Sequence, residues 1–506
     1  MKCLVILLIP CILLLITSCE SVDNGGPQPQ PGLETITVEK FTVTIPENIA
    51  SGASLGTVPV SAPDGSSLTY TISSQSVADA LVLDTTSGEV TVGDASVFDY
   101  ETNPTITVTY TVTNGEVTAE GTIVITLTDE DEGSANGFIT TWRTTSDNEK
   151  IEIPVNTSLT YNYSVDWGDG TTSVGITQNA EHTYTTKDYY TVTITGNFPA
   201  IHFESFGFDP FEGIQEQQKI RSIEQWGDII WETMQGAFFG CENLRYNATD
   251  VPDLSQATDL SHMFSYTEQF NGAIGNWDVS GITNMEGMFT SATSFNQPLA
   301  SWDVSNVTNM SFLFYDTDAF NQPLANWVVS KVTTMKSMFL GSAFNQPLEA
   351  WVVSNVTNMD AMFAANNVFN QPIADWDVSS VTSMVGMFRA TKMFNATLDD
   401  WDVSGVTDMR EMFANAEAFN QSLNSWDVSN VENMNRMFVD APAFNGSIDS
   451  WDVAKVTDMA EMFYEASSFV QDLSGWSVLG VNECIRFREG SGMTLNDVPD
   501  FTNCSF

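Results

Sequence analysis

The chain has 506 residues, which is too long for one compact hydrophobic core, so several domains or a linear array of repeats is expected. It carries 65 acidic and 17 basic residues, and the formal charge of -48 would repel phosphate backbones and anionic lipid headgroups. Nucleic acid is therefore not expected as a partner. The acidity could hold divalent cations or simply keep a secreted surface soluble.

Residues 1–18 predict a signal peptide, because Lys2 precedes an apolar run from Leu4 to Ile16 that is shorter than the roughly 20 residues of a membrane span. The sequence ITSC, ending at Cys19, resembles the lipobox of bacterial lipoproteins. The resemblance implies cleavage before Cys19 and a lipid on its sulfur; an ordinary signal peptide with an incidental cysteine is the alternative. The predicted location is the outer membrane, at the cell surface, with the lipid as the only attachment.

Residues 19–35 contain GGPQPQPG, which favours an extended linker. Residues 36–132 then show short alternating runs such as FTVTI and TITVTYTVT, separated by turn residues, which predict an antiparallel β-sandwich. In this segment PEN, LDTTSGEVTV, FDYE and TDED occur in the order found in cadherin repeats, which the segment resembles.

The cadherin resemblance implies a calcium site at one end of the sandwich, because hard cations bind where several carboxylate and carbonyl oxygens converge. The implied ligands are Glu47, Asp64, Asp99, Glu101, Asp129 and Asp131. The paired aspartates usual in cadherins are reduced to one in APDG. The alternative is that these are solvated acids in turns.

Residues 137–203 contain WGDGT at Trp167 and HTY at His182, and they resemble an immunoglobulin-like domain of the PKD type. Asp169-Gly170 is a signal for a tight turn between strands. We therefore expect His182 to be a packed or hydrogen-bonded strand residue and not a ligand.

From residue 204 to residue 476 the sequence repeats, so that FNQPLASWDVSNVTNM returns with few changes. Its tryptophans are spaced by 25 residues, broken once by 24, which indicates one structural unit per repeat. They are Trp277, Trp302, Trp327, Trp351, Trp376, Trp401, Trp426, Trp451 and Trp476.

Within one unit, Trp277 and Val279 alternate with polar residues, which predicts a short strand. Met285, Met288, Phe289 and Ala292 follow at the spacing of an amphipathic helix. Stacked units would bury both faces, with strands on one side and helices on the other. The predicted fold class is multidomain: two all-β immunoglobulin-like sandwiches followed by a parallel α/β leucine-rich-repeat-like solenoid.

Residues 477–506 depart from the repeat and predict a C-terminal cap. Once the signal peptide is removed and Cys19 carries a lipid, Cys484 and Cys504 are the nearest remaining pair of cysteines and could close a disulfide loop, which would leave Cys241 as a core cysteine. The repeats, together with the segment SIEQWGDIIWETMQGAFFGCENL before them, resemble the BspA-like bacterial surface proteins. That resemblance implies surface attachment and binding of extracellular matrix or other cells.

The residue after each tryptophan should point outward and stack along one edge of the array. We call these residues the aspartate edge: Asp278, Asp303, Val328, Val352, Asp377, Asp402, Asp427 and Asp452. Adjacent carboxylates would repel one another, so the edge could be a recognition strip for cations or for a basic or polyhydroxyl partner. Alternatively, each aspartate could bond locally to backbone or to serine and threonine.

The predicted function is that of a monomeric, lipid-anchored surface protein that binds a protein or glycan on another cell or matrix. The alternatives are a polysaccharide-binding accessory protein and a structural surface-layer component. No enzyme is expected, because the chain has only three histidines, no glycine-rich phosphate loop and no HExxH motif. Calcium is the one cofactor implied.

Overall fold

A computed structural model describes residues 35–47, 49–62, 67–100, 102–128, 136–206 and 216–505. The chain divides into two compact units, one ending at residue 132 and the other beginning at residue 133. The predicted signal peptide, Cys19 and the linker up to residue 34 lie outside the described residues.

The first unit is all β, as expected for alternating runs with one buried face. Its strands are β1 (Thr37–Val38), β2 (Phe41–Pro46), β3 (Ser54–Thr57), β4 (Val60–Ser61), β5 (Thr69–Gln75), β6 (Leu81–Leu83), β7 (Glu89–Val92), β8 (Thr105–Thr113) and β9 (Thr118–Thr128). Sheets of order β2-β9-β8-β5 and β3-β7-β6 enclose a core of Ile106, Val108, Ile123 and their neighbours, and β1 pairs with β4.

The second unit begins with a further set of strands. They are β10 (Phe138–Arg143), β11 (Glu149–Ile153), β12 (Asn162–Asp166), β13 (Thr172–Ile176), β14 (Ala180–Tyr184), β15 (Tyr189–Asn197), β16 (Ile220–Gln225) and β17 (Arg245–Tyr246). The main sheet has the order β13-β12-β15-β10-β16-β17, while β11 pairs with β14. Because β16 and β17 come from the segment before the tryptophan repeats, this sheet and the repeats share one hydrophobic core.

The repeats form a stack of coils, and each coil forms one parallel β-bridge with the next in addition to other hydrogen bonds. The bridges run from Asp259 through Asn284, Asn309, Thr334, Asn358, Ser383, Asp408, Asn433 and Asp458 to Glu483. We call this part of the chain the repeat stack. Each coil supplies one layer of a continuous core.

The predicted parallel α/β leucine-rich-repeat-like solenoid is wrong. The described residues contain no α-helix and only three short 3₁₀ segments, Ala95–Val97, Phe203–Phe206 and Glu216–Gln218. None of the described residues forms a helix that could span a membrane. The strand expected at Trp277 is also missing, although Trp277 and Val279 are buried as predicted.

The segment predicted as a helix is a run of tight turns whose hydrogen bonds alternate between two directions. The N–H groups of Met285, Gly287 and Phe289 donate to carbonyls 24 residues later, in the next coil. Those of Met288 and Thr290 donate three residues back. The spacing i, i+3, i+4, i+7 correctly placed the apolar side chains on one face, but it says nothing about where the N–H groups bond, and the next coil offers carbonyls that replace the i−4 acceptors of a helix.

Aromatic rings stack along the core from coil to coil. Phe289 lies 5.7 Å from Phe314, and within one coil Phe289 lies 4.2 Å from Phe295. The indoles from Trp302 to Trp451 also bind the coil before them: Trp302 Nε1 donates to the Ile274 carbonyl at 3.0 Å. The packing of these coils is therefore both apolar and hydrogen-bonded.

Asparagine side chains hold the outer corner of the coils in register. The Asn296 amide oxygen accepts hydrogen bonds from the Asn321 N–H at 3.1 Å and from Gln322 Nε2 at 3.0 Å in the next coil. Equivalent bonds repeat up to Asn445, which accepts from the Val470 N–H. These asparagines are thus part of the stack's framework.

The stack ends at a segment that is closed by a disulfide between Cys484 and Cys504. Phe487 lies edge-on to Phe463 at 5.3 Å and to Phe501 at 5.0 Å, so the parallel ring stack stops here. Cys241 is fully buried in the core, and burial raises the pKa of its thiol well above the ordinary value.

Candidate functional site

One surface of the repeat stack differs from coil to coil, and we call it the turn face. It consists of two positions in the turn segment of each coil. Small side chains at these positions, such as Ala364 and Ala414, are buried, whereas long ones such as Arg436 are exposed. The first position holds Gly287, Phe312, Ser337, Ala361, Gly386, Glu411, Arg436, Glu461 and Arg486, and the second holds Thr290, Tyr315, Leu340, Ala364, Arg389, Ala414, Val439, Tyr464 and Glu489.

Core positions in the same segment hardly vary. The methionine of Met285 recurs in every coil up to Met459, and the phenylalanine of Phe289 recurs in all nine. Because the coils repeat the same backbone, a position that changes freely is one that the fold does not specify. The residues of the turn face can therefore be chosen for a role other than packing, such as binding a partner.

The first position of the turn face also has an unusual backbone conformation. Its φ lies between 52° and 59° in all nine coils, a left-handed conformation that glycine adopts without strain. Gly287 and Gly386 fit this requirement, yet Phe312 and Arg436 occupy the same place. A bulky residue with positive φ is strained by about 1–3 kcal/mol, and such strain is concentrated at functional sites.

The turn face changes character along the stack. Phe312, Tyr315 and Leu340 give its first half an aromatic and aliphatic surface. In its second half Arg389 pairs with Glu411 at 3.5 Å and Arg436 Nε pairs with Glu461 at 2.6 Å.

A cavity of about 290 Å³ opens in the charged half of the turn face, lined by Arg436, Glu461 and Tyr464 among others. Arg436 and Arg486 lower the pKa of Glu461, which keeps this carboxylate charged.

The aspartate edge is exposed along its whole length, one residue per coil. Each aspartate accepts a hydrogen bond from the N–H two residues later: Asp278 from Ser280 at 3.0 Å, and Asp377 from Ser379 at 3.2 Å. Serine hydroxyl and N–H bonds lower the pKa of Asp278 and of Asp377. The recurrence of aspartate therefore has a local explanation, a turn closed by its side chain.

Neighbouring members of the aspartate edge nevertheless influence each other. Hydrogen bonds from Ser305 lower the pKa of Asp303, while the charge of Asp278 opposes that shift and Lys331 assists it. Val328 and Val352 interrupt the row with side chains that are 54% and 57% exposed. Nothing in the fold requires valine at these two exposed positions, so a partner strip on this edge stays a prediction.

The implied calcium ligands are only partly described. Asp64, Glu101, Asp129 and Asp131 lie outside the described residues. Glu47 is buried and accepts from the Tyr100 N–H at 2.6 Å, and Asp99 accepts from the Thr102 N–H at 2.8 Å. In the part of the chain that the structure describes, no three metal-ligating side chains converge, so Glu47 and Asp99 do not form a calcium site by themselves.

His182 lies in β14 as a packed residue. Its ring stacks on Trp167 at 5.0 Å, and its Nε2 is 2.8 Å from Asp169 Oδ2. These contacts hold the turn at Asp169 in place.

The repeat stack matches a family profile described as "Mycoplasma protein of unknown function, DUF285". The matches span residues 232–343, 326–421 and 394–494, which together cover more than half of the chain. The chain belongs to the DUF285 family. Because the family description names no function, the resemblance to BspA-like surface proteins stays a prediction.

No curated protein matches this DUF285 chain significantly. Among solved structures, human protocadherin-24 EC1-2 is 21% identical, over 26% of this chain and 56% of that chain, with a TM-score of 0.19. The third cadherin domain from human protocadherin 7 is 21% identical, over 22% of this chain and 97% of that chain, with a TM-score of 0.18. The chain thus spans little more than half of the protocadherin-24 fragment, and scores this low carry no argument for a shared fold.

The turn face was not predicted from the sequence, because the apolar spacing after Met285 indicated a helix and only the residues beside the tryptophans were expected to face a partner. A comparison of the nine repeats with each other contains the missing signal. The first position of the turn face holds glycine in two coils, serine or alanine in two, and phenylalanine, glutamate or arginine in the other five. Glycine at a fixed repeat position indicates a positive φ.

Proposed function

We propose that this DUF285 protein is a surface interaction protein that binds a protein or glycan of another cell or matrix through the turn face. The observation that carries the proposal is the occupation of strained positions by Phe312 and Arg436, where glycine would serve the fold better. Repeat stacks offer extended surfaces of this kind for recognition.

The test uses the mature chain without its lipid on an array of glycans and matrix proteins. The variant Phe312→Gly with Arg436→Gly removes two side chains while leaving their backbone free of strain. We expect it to fold normally and to lose binding by about tenfold or more, as for the loss of interface anchors. Ala361→Gly is the matched control, because it makes the same backbone change at the same position and removes only a methyl group. Equal binding by the double variant and the control would contradict the proposal.

We further propose that Cys19 carries the lipid that holds the protein at the cell surface, as the ITSC sequence implies. Cys19→Ser should move the protein from the membrane fraction to the medium. Retention of this variant in the membrane fraction would contradict the anchor.

Calcium binding near Glu47 is also a proposal, supported by the cadherin-like motifs and by a buried carboxylate at the end of β2. If it holds, calcium should raise the thermal midpoint of the mature chain and a chelator should lower it. Glu47→Gln should abolish that difference.

The alternative function, a polysaccharide-binding accessory protein, would show binding to glycans and to none of the matrix proteins on the same array. We propose no catalytic role, whether the protein binds matrix proteins or polysaccharides. The charged groups of the turn face are paired with each other and are not arranged around one reacting position.

A further inference from the structure

A polar groove lies where the main sheet of the second unit meets the first coil of the repeat stack. It has a volume of about 500 Å³ and is lined by Tyr189 of β15, Arg221 of β16, Arg245 of β17 and Gln269 of the first coil. A second cavity of about 460 Å³ is also lined by Arg245 and Gln269. Volumes of this size fall in the range of small-molecule sites.

The two arginines that line this groove, Arg221 and Arg245, have no carboxylate partner among the described residues. The guanidinium of Arg221 makes no hydrogen bond or ion pair among the described residues, and its Nε is buried. Arg143 lies over the Tyr189 ring at 5.4 Å, and Arg245 donates only to Gln269, at 3.2 Å.

In the repeat stack several arginines are neutralised by carboxylates, although Arg488 near its end also has a buried Nε without a partner among the described residues. Arg436 pairs with Glu461, and Arg410 pairs with Asp408 at 2.9 Å. In a chain with 65 acidic residues, an unpaired arginine group is not explained by a shortage of carboxylates.

Burial and the nearby charge of Arg143 lower the pKa of Arg221, while Tyr189 and Glu242 oppose that shift. In the absence of a ligand, two features therefore destabilise this part of the protein. The buried Nε–H of Arg221 has no acceptor, and a second positive charge lies nearby. An anion bound at Arg221 would relieve both.

One carboxylate, that of Glu224, also lines the groove. It is held by other donors: Thr141 Oγ1 at 3.0 Å, Asn247 Nδ2 at 3.0 Å and the Ser222 hydroxyl. Because these bonds direct Glu224 to its neighbours, it makes no ion pair with Arg221, and the charge of Glu242 acts on Arg221 without forming an ion pair. The remaining lone pairs of Glu224 could accept from a hydroxyl group.

We propose that this groove binds an acidic saccharide, with its carboxylate at Arg221, where the charge of Arg143 beside Tyr189 adds to the attraction. Guanidinium groups fit carboxylates in bidentate fashion. The half-exposed ring of Tyr189 offers an apolar face beside them. The amides of Asn243 and Gln269 are bonded to each other, and their remaining donor and acceptor positions could bind sugar hydroxyls. This site is separate from the turn face and does not depend on its function.

The test measures binding of two acidic disaccharides, digalacturonate and cellobiouronate, against their neutral counterparts galactobiose and cellobiose. The mature chain without lipid should bind at least one acidic disaccharide about tenfold more tightly than its counterpart, since charge-assisted bonds are stronger than neutral ones. Arg221→Gln and Arg143→Gln should each remove most of that preference. Lys392→Gln, which removes one exposed charge from the repeat stack, should leave it unchanged.

Stability supplies a second readout. Arg221→Gln should leave the thermal midpoint unchanged or raise it, because no partner is lost and a repulsion is relieved; a lowered midpoint would indicate a structural role and overturn the proposal. Equal affinity for acidic and neutral disaccharides would also overturn it, as would tighter binding of an N-acetylated diglutamate peptide or of inorganic phosphate. The turn-face variants should bind the disaccharide normally, so that failure of one site is distinguishable from failure of the other.

Discussion

Trp376 Nε1 donates a hydrogen bond to the carbonyl oxygen of Leu348, 3.0 Å away and one coil earlier in the chain. The same bond recurs from Trp302 to Trp451. It fails at Trp476, whose Nε1 is buried without a partner in the part of the chain that the structure describes. The contrast gives a matched pair of sites for measuring what the bond contributes.

Trp376→Phe should lower the free energy of unfolding by about 1 kcal/mol more than Trp476→Phe. Both variants lose the same indole volume, but only the first loses a hydrogen bond, and a buried bond contributes about 0.5–1.5 kcal/mol. Denaturant titrations of the two variants give the difference. Equal losses would show that the indole N–H does not stabilise the stack.

Ala361→Gly should raise the free energy of unfolding by about 0.5–1 kcal/mol, because alanine is strained at a φ of 52° and glycine is not. Ala364→Gly, three residues later and fully buried, is the control. It should lower stability by about 1 kcal/mol through the greater chain entropy of the unfolded state and the loss of a packed methyl group. A loss of stability in both variants would contradict the strain assigned to the turn face.

The repeated sequence predicts which side chains are buried but not which backbone groups bond to each other. Inward positions such as Trp277, Val279 and Met285 were correctly assigned, because burial follows from side-chain periodicity. The backbone was assigned wrongly as strand and helix. In an isolated helix each N–H bonds to a carbonyl of the same segment. Here alternate N–H groups bond to carbonyls of the next coil instead. The spacing of apolar residues is the same in both cases, so it cannot distinguish them.

Of the candidate sites, the aspartate edge could be predicted from the sequence and the arginine groove could not. The aspartate edge was found because Asp278 and its equivalents repeat, yet repetition is also what a turn-closing side chain would show. The arginine groove could not be found from sequence, since Arg143, Arg221 and Arg245 are far apart in the chain and meet only through the pairing of β10, β16 and β17.

The aspartate edge should make the stack sensitive to acid. Hydrogen bonds lower the pKa of several of its members below the ordinary value of 3.8, with Asp278, Asp303, Asp377 and Asp427 affected. The stability that these groups contribute is fully present above pH 3.8 and is lost as the pH falls through the lowered pKa values.

The four-fold Asp→Asn variant at these positions should therefore lose less stability than the wild type between pH 5 and pH 2. The test compares unfolding midpoints across this range, with the two proteins at pH 7 as the reference. A variant that is as acid-sensitive as the wild type would place the titrating groups elsewhere.

Val328→Asp with Val352→Asp tests whether the interruption of the aspartate edge serves attachment. If the exposed valines contact a partner, the variant should bind more weakly while its thermal midpoint changes little, because both side chains are more than half exposed. Asp402→Val is the control, since it alters the same edge two coils beyond Val352. Unchanged attachment in the double variant would count against a strip on this edge.

Cysteine reactivity should separate the core of the stack from its end. Cys241 is fully buried, and its raised pKa keeps the thiol protonated, so it should resist alkylation until the protein unfolds. Reduction of the Cys484–Cys504 disulfide, which closes a loop of 20 residues, should instead destabilise the C-terminal cap by about 3 kcal/mol, because loop closure no longer restricts the unfolded chain.

Mass spectrometry of the reduced, alkylated native protein should therefore find label on Cys484 and Cys504 and none on Cys241. Denaturant should add the third label in the main unfolding transition. Labelling of Cys241 together with the other two would mean that the core of the stack opens when its cap is released, as expected if the cap is what keeps the coils in register.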